Sequence, residues 1–210
     1  MQMPTKYKFT FVIGSLLLSE TIKVAEVFLK SDDWDGTKRI VLEDNILQKK
    51  MNSSLRKIYL EVQRRLQHLS YEETTFLVKA NLEEQRQLLF LALCRRYDFI
   101  RDFVVFVLRE KVLSMKNVLR DADYYSFTED VSLSHPEYEK LSERTKRNVR
   151  QVLFQILRDV GFISSDSAKK ISPIFVSSRL QKLIASKNPK ELRYFLYTDQ
   201  QIKEVVEQYG

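Results

Sequence analysis

Along most of the chain, apolar residues recur at intervals of three and four, in blocks separated by short polar breaks. That is the period of an α-helix, in which such positions share one face. It predicts a helix from about residue 14 to 30, carrying Ile22, Val24, Ala25, Val27, Phe28 and Leu29 inward. A second runs from Thr37 to Gln48 on Ile40, Val41 and Leu47, and a third from Ser53 to Leu69. In the third, Leu55, Ile58, Tyr59, Val62, Leu66 and Leu69 fall within one arc of roughly 100°, with Asn52 or Ser53 as its cap. Leu60 falls near the outward side and predicts a neighbouring element there. The breaks between these helices are SDDWDG and KKMN.

Further helices follow in LEEQRQLLFLALCRRY and DFIRDFVVFVLREKVL, the latter so nearly apolar all round that it belongs at the centre of the core. DADYYSFTEDVSLSHPEYEK, from Asp121 to Lys140, is polar, aromatic and ends in His-Pro, and reads as a loop or irregular connection. Ser142 then caps a helix with the stripe Val149, Val152, Leu153, Ile156 and Val160, which Gly161 stops in the left-handed conformation. GFISSDSAKKISPIFVSS reads as two short extended segments around a turn with Lys169 and Lys170 at its tip, and SRLQKLIASK and NPKELRYFLY supply closing helices. Helix, glycine, strand, basic turn, strand, helix is the order of a winged-helix end. The predicted fold is therefore mainly α. Residues 1–70 form a helical lobe with a helix-turn-helix-like pair, 71–135 the central core helices and a connecting loop, and 136–210 a winged-helix-like lobe with a small β-hairpin.

Composition supports helices, with only four glycines in 210 residues. The formal charge of +7 points to a polyanionic partner, and its placement sharpens the point. Residues 1–70 carry 12 Lys and Arg against 8 acids, residues 71–135 carry 9 against 11, and residues 136–210 carry 14 against 9. Positive charge thus sits at both ends. The opening MQMPTKYKFTFVIGSLLLSE has cations before an apolar run, as a signal peptide does, but no small-residue cleavage site follows and the apolar pattern continues as an amphipathic helix. No stretch reaches the roughly 18 uncharged residues of a membrane span, so no membrane insertion is expected. Cys94 is the only cysteine, which excludes an internal disulfide and fits a reducing cytoplasm.

Catalytic chemistry is poorly supplied. The sequence has no Gly-rich phosphate loop, no GxSxG, no HExxH, and two histidines, His68 and His135, in unrelated contexts. Asp32, Asp33 and Asp35 with Lys38 come nearest to a metal site, yet no matching ligand stands nearby, and helix-start chemistry explains them. No catalytic residue, metal, cofactor or small-molecule substrate is expected.

Anion binding is better supplied. LQKKMNSSLRKIYLEVQRRL holds six cations against Glu61 alone. Lys49, Lys50, Arg56 and Lys57 crowd a turn and a helix start, where Asn52, Ser53, Ser54 and free backbone N–H groups can act with them on phosphate, and Arg64 extends the footprint two turns on. A second cluster comprises Thr145, Lys146, Arg147 and Arg150 at one helix start with Lys169 and Lys170 on the predicted wing. Each cluster also fits an ordinary solvated basic face, and Tyr124, Tyr125 and Phe127 fit either base stacking or packing of their own segment.

The succession GSLLLSETIKVAEVFLKSDDW, EDNILQKK, SSLRKIYLEVQRRLQHL and TKRNVRQVLFQILRDVGFIS resembles the BrxA family of BREX bacteriophage-defence systems. Its markers are Leu17 and Glu20, Trp34, the run Glu43, Asn45, Leu47 and Gln48, the triplet Arg64, Arg65 and Leu66, and Gly161. The resemblance implies a non-enzymatic helical protein that binds double-stranded DNA, with winged-helix-like parts and a likeness to NusB-type folds. It also implies work beside the other BREX components, and carries no base-reading residues with it. An interaction scaffold docking on an acidic protein, or a NusB-like RNA-binding protein, is the alternative.

Overall fold

A computed structural model describes residues 6–209. Its helices are α1 (Leu18–Ser31), α2 (Trp34–Glu43), α3 (Asn52–Leu66), α4 (Tyr71–Lys79), α5 (Leu82–Arg96), α6 (Asp98–Phe103), α7 (Glu110–Leu113), α8 (Asp121–Ser134), α9 (Pro136–Glu139), α10 (Glu143–Val160), α11 (Ser178–Ala185) and α12 (Asp199–Tyr209). Short 3₁₀ helices occupy Thr10–Ile13 and Pro189–Phe195, and a π-helical stretch, Val104–Arg109, joins α6 to α7. Two compact units result, residues 10–96 and residues 6–9 with 97–209.

In the unit of residues 10–96, α1 packs against α2, α3, α4 and α5. The acids of DDWD begin α2: the Asp33 carboxylate accepts the N–H groups of Gly36 and Asp35, which hold its pKa below the ordinary value. Asn45 shapes the connection to α3, its amide donating to Lys49 O at 3.0 Å and accepting from Lys49 N at 2.9 Å. The connection runs from 44 to 51, longer than the four-residue break in the sequence pattern. Nor is α3 capped by Asn52 or Ser53, since Met51 takes the cap position with no side-chain hydrogen bond. Leu55, Tyr59, Val62 and Leu66 are buried as their spacing predicts, whereas Leu60 stays 39% exposed.

Helical spacing puts Arg65 on a flank of the α3 stripe, where the head of a long side chain can reach outward. Instead it is 1% exposed beside a wholly buried Glu61. Its Nε donates to Glu61 Oε1 at 2.8 Å, and its two terminal nitrogens donate to Ser15 O at 2.5 Å and Gly14 O at 2.9 Å. A guanidinium has donors enough to serve a carboxylate and two carbonyls at once, and here they fasten the segment before α1 onto α3. Just beyond the C-terminal end of α3, Arg95 from α5 grips both oxygens of Glu73, the capping-box residue of α4, and donates to His68 O.

The second unit is built on aromatic rings. Tyr7 stacks on His135 with centroids 3.7 Å apart, Phe99 meets Phe9, Phe127 and Tyr138, and Phe103 meets Phe127 and Phe154. Tyr7 also donates its hydroxyl to Asp102 at 2.7 Å. The segment 121–140, read as a loop, is helical. Arg120 and Asp123 form a start, with Arg120 N donating to Asp123 Oδ2 at 2.6 Å, and Tyr124, Thr128 and Val131 make a buried stripe. In the π-helical stretch, Arg109 turns inward, and its Nε donates to Tyr197 O at 2.8 Å while Nη2 reaches Asp199 at 2.8 Å. Ser142 caps α10 and Gly161 ends it at φ +95°, both as expected.

The predicted β-hairpin is not formed. Among the described residues the extended pairing is limited to two isolated antiparallel bridges, Ile163 with Ile171 and Val118 with Lys170. Two local features end the ladder early. Asp166 draws the N–H groups of Ala168 and Lys169 into a turn that leaves Lys169 left-handed, and Pro173 follows the bridge with no N–H to donate.

Replacing Arg65 with Ala leaves the buried Glu61 carboxylate without its 2.8 Å partner. The expected loss is about 3–5 kcal/mol of unfolding free energy, read as a lower urea midpoint by circular dichroism; a shift below about 0.5 kcal/mol would show that other groups satisfy Glu61.

Candidate nucleic-acid interface

The two basic clusters lie in different units and meet different fates. At the start of α3, Lys50, Asn52, Ser53, Arg56 and Lys57 are exposed and Ser54 is half-buried, with the uncapped first N–H groups of the helix beside them. Lys49 is otherwise engaged, its Nζ lying 2.8 Å from Glu20 Oε1. Arg64 is exposed seven residues beyond Lys57 on the same helix, roughly 10 Å along its axis.

The second cluster is partly gathered into a cleft of about 800 Å³ between α8, α10 and the turn before Ile171. Lys146, Arg147 and Arg150 line it from α10 and Lys169 from the turn. Thr145 and Lys170 do not line it: the Thr145 hydroxyl sits 2.9 Å from Ser142 Oγ, and Lys170 is exposed on the bridged segment. On α10 the cleft residues Lys146, Arg147, Arg150, Gln151, Phe154 and Arg158 recur at helical spacing, on a face distinct from the buried stripe of Val149, Leu153, Ile156 and Val160.

Aromatic rings line the cleft as well, Tyr124 and Tyr125 from α8, Tyr138 from α9 and Phe154 from α10. Arg150 lies over Tyr124, Tyr125 and Phe154 at 5.9, 5.7 and 5.2 Å from their centroids, Lys169 lies 5.3 Å over Phe154, and Lys146 lies 5.6 Å over Tyr138. Asp121, at the start of α8, bridges Arg150 at 2.8 Å and Lys169. Its carboxyl is held below its usual pKa, by Lys169 first and then by Arg150, against a desolvation cost. Burial, and after it hydrogen bonding with the Tyr138 side chain, push the Tyr124 hydroxyl upward, so it remains neutral, and Arg150 Nε is buried without a hydrogen-bond partner. Tyr138, Phe154, Arg158 and Asp121 had not been singled out from the sequence. The recurrence of Lys146, Arg150, Phe154 and Arg158 every four residues is the signal that marks this face.

This arrangement is a helical scaffold with a cationic, aromatic-walled cleft, and no group of metal-ligating side chains or membrane-crossing helix occurs among the described residues. A sequence model of the BrxA family matches residues 5–188, and the chain belongs to that family. It is similar to the BREX protein BrxA of Escherichia coli O9:H4 (strain HS), with 20% identity over 179 residues covering 85% of this chain and 84% of that one. Its fold is shared with the crystal structure of an uncharacterized protein from Magnetospirillum magneticum, at a TM-score of 0.78 and 19% identity, over 91% of this chain and 98% of that one.

The Lys49–Glu20 pair gives a pH test. Burial pushes the Glu20 carboxyl upward, but hydrogen bonding to Lys49 and to its own backbone, with the nearby Lys23, brings it below its usual value of 4.5. A lowered folded-state pKa stabilises the fold above the unfolded value and ceases to do so as pH falls through the folded one. Lys49→Met is therefore expected to cost about 0.5–1 kcal/mol at neutral pH and less as pH drops below the carboxylate range, measured by urea unfolding at each pH.

Proposed function

We propose that this chain is a non-enzymatic duplex-DNA-binding component of a BREX phage-defence system, acting in the cytoplasm and gripping DNA mainly through phosphates. The observation that carries this reading is the order of elements in the second unit. A bridged segment at 117–119, helices α8 and α10, a second bridged segment at 162–164, a basic turn and a third at 170–172 follow one another as in a winged helix. Leu119 N donates to Lys169 O and Ser172 N to Phe162 O, so the three segments lie side by side with the 170–172 segment in the middle. In that arrangement α10 is the helix placed in a major groove and the turn carrying Lys169 and Lys170 is the wing. The cations at the start of α10 support the same reading, as does the "BREX protein" name of the Escherichia coli relative. Other BREX components are natural partners.

Phosphate binding releases counterions, so affinity falls steeply with salt, with a slope of about 0.9 per phosphate neutralised on B-DNA. Arg147→Ala with Lys170→Ala is expected to flatten that slope by about one to two units in fluorescence anisotropy of a labelled duplex. Unchanged slope and affinity in a folded double variant would remove the α10 face. Lys50, Arg56 and Lys57 replaced together by Ala test the α3 start in the same assay, where a flattening by about two to three units is expected. Competition among duplex DNA, RNA and heparin across the salt series separates a DNA-binding protein from a generic basic surface, which binds all three equally.

A further inference from the structure

The cleft between α8 and α10 has features that duplex phosphates do not require. We propose that it binds one unpaired nucleotide, base and phosphate together, presented by a nucleic-acid strand or free in solution. Only the strand-borne source rests on the nucleic-acid reading above.

Phosphates of a duplex are met by cations on a convex face, whereas Arg150 and Lys169 are set back in a hollow of about 800 Å³, within the size range of small-ligand sites. Its lining contains no aliphatic side chain. This excludes the apolar holes that seat a lipid tail or a leucine-type peptide anchor. What it offers instead is a flat surface, the exposed ring of Tyr125, beside the Arg150 guanidinium, which lies within 6 Å of the centroids of Tyr125 and of the buried Tyr124 and Phe154 beneath it. Bases stack on tyrosine and on guanidinium planes alike. Tyr125 is 54% exposed, its ring held at the cleft by Arg150 and Tyr124.

The polar groups point to the same ligand. Tyr124, 2% exposed, turns its hydroxyl toward Tyr138, and Arg150 Nε is buried, so both belong to the floor of the cleft. Asp121, half exposed, pins Arg150 and Lys169 together through one carboxylate, which leaves Arg147, exposed on the cleft wall, as the cation that meets a phosphate. Glu129 on the α8 side supplies an acceptor for the amino edge of a base.

The test compares a fully paired duplex, the same duplex with a single bulged nucleotide, adenosine 5′-monophosphate and inorganic phosphate, by anisotropy and calorimetry on the full chain. The bulged duplex is expected to bind more tightly than the paired one, with the monophosphate competing for the difference and inorganic phosphate failing to. Tyr125→Ala, at a half-exposed position, should abolish the difference, a loss of roughly tenfold, while the paired duplex binds as before and Tyr125→Phe retains the preference. Binding of the monophosphate in a Tyr125-dependent way without any duplex binding upholds the pocket and removes the duplex reading. Equal binding of bulged and paired duplexes with no monophosphate bound overturns the proposal, as does a preference for the bulge that survives Tyr125→Ala, or competition by phosphate as strong as by the nucleotide.

Discussion

A guanidinium taken out of water has to be met by carboxylates or carbonyls, because its desolvation otherwise exceeds anything packing returns. In a chain with 35 Lys and Arg this demand sorts the cations. Arg65 meets it most completely, closing on Glu61, Ser15 and Gly14. Arg95 meets it on Glu73 and His68, and Arg109 on Tyr197 and Asp199. Each of these arginines joins segments distant in sequence, so the basic character of the chain is partly architectural. What remains for an external anion is the subset whose charge is not already engaged inside the fold.

That sorting changes the picture of the two basic clusters. At the start of α3, one cation of four is tied to Glu20 and the others stand in solvent beside uncapped N–H groups. At α10 the cations are layered onto aromatic rings and shared with Asp121. Charge in the first place is diffuse and suits a backbone of phosphates. In the second it is held at fixed points near π faces, which suits a ligand with both a charge and a plane. Electrostatic strength alone would not distinguish them; the immobilisation of Arg150 does.

Helix spacing made much of the fold legible in the sequence. The stripes of α3 and α10, the Ser142 cap and the Gly161 stop all follow from local rules, because each is settled within a turn or two of the chain. The failures share a cause as well. Arg65 could be sorted from Arg64 only by knowing that the carbonyls of Gly14 and Ser15 come within reach, some fifty residues away in sequence. In α8, the stripe of Tyr124, Phe127, Thr128 and Val131 was present, but serines and acids between them and the following His-Pro masked it. The hairpin was overestimated because Asp166 satisfies locally the N–H groups that a longer ladder needs. For the candidate site, four of six C-terminal residues reached the cleft, and Tyr124 and Tyr125, open to stacking or packing in the sequence, could not be set against α10 while α8 was read as a loop.

The π-helical stretch between α6 and α7 has its own consequence. At its start Phe103 and Val104 face the interior; at its end Leu108 and Arg109 do, five residues later, while Phe106 between them is 65% exposed. Five is the interval of a π turn, where an α-helix returns after three or four. The widened turn therefore acts as a phase adjuster. It inserts one residue without moving the buried side to another bearing, and so decides that the arginine at 109 is the side chain that turns inward. Since Arg109 latches Tyr197 and Asp199, the docking of the last helix is governed by a count of residues made ninety positions earlier.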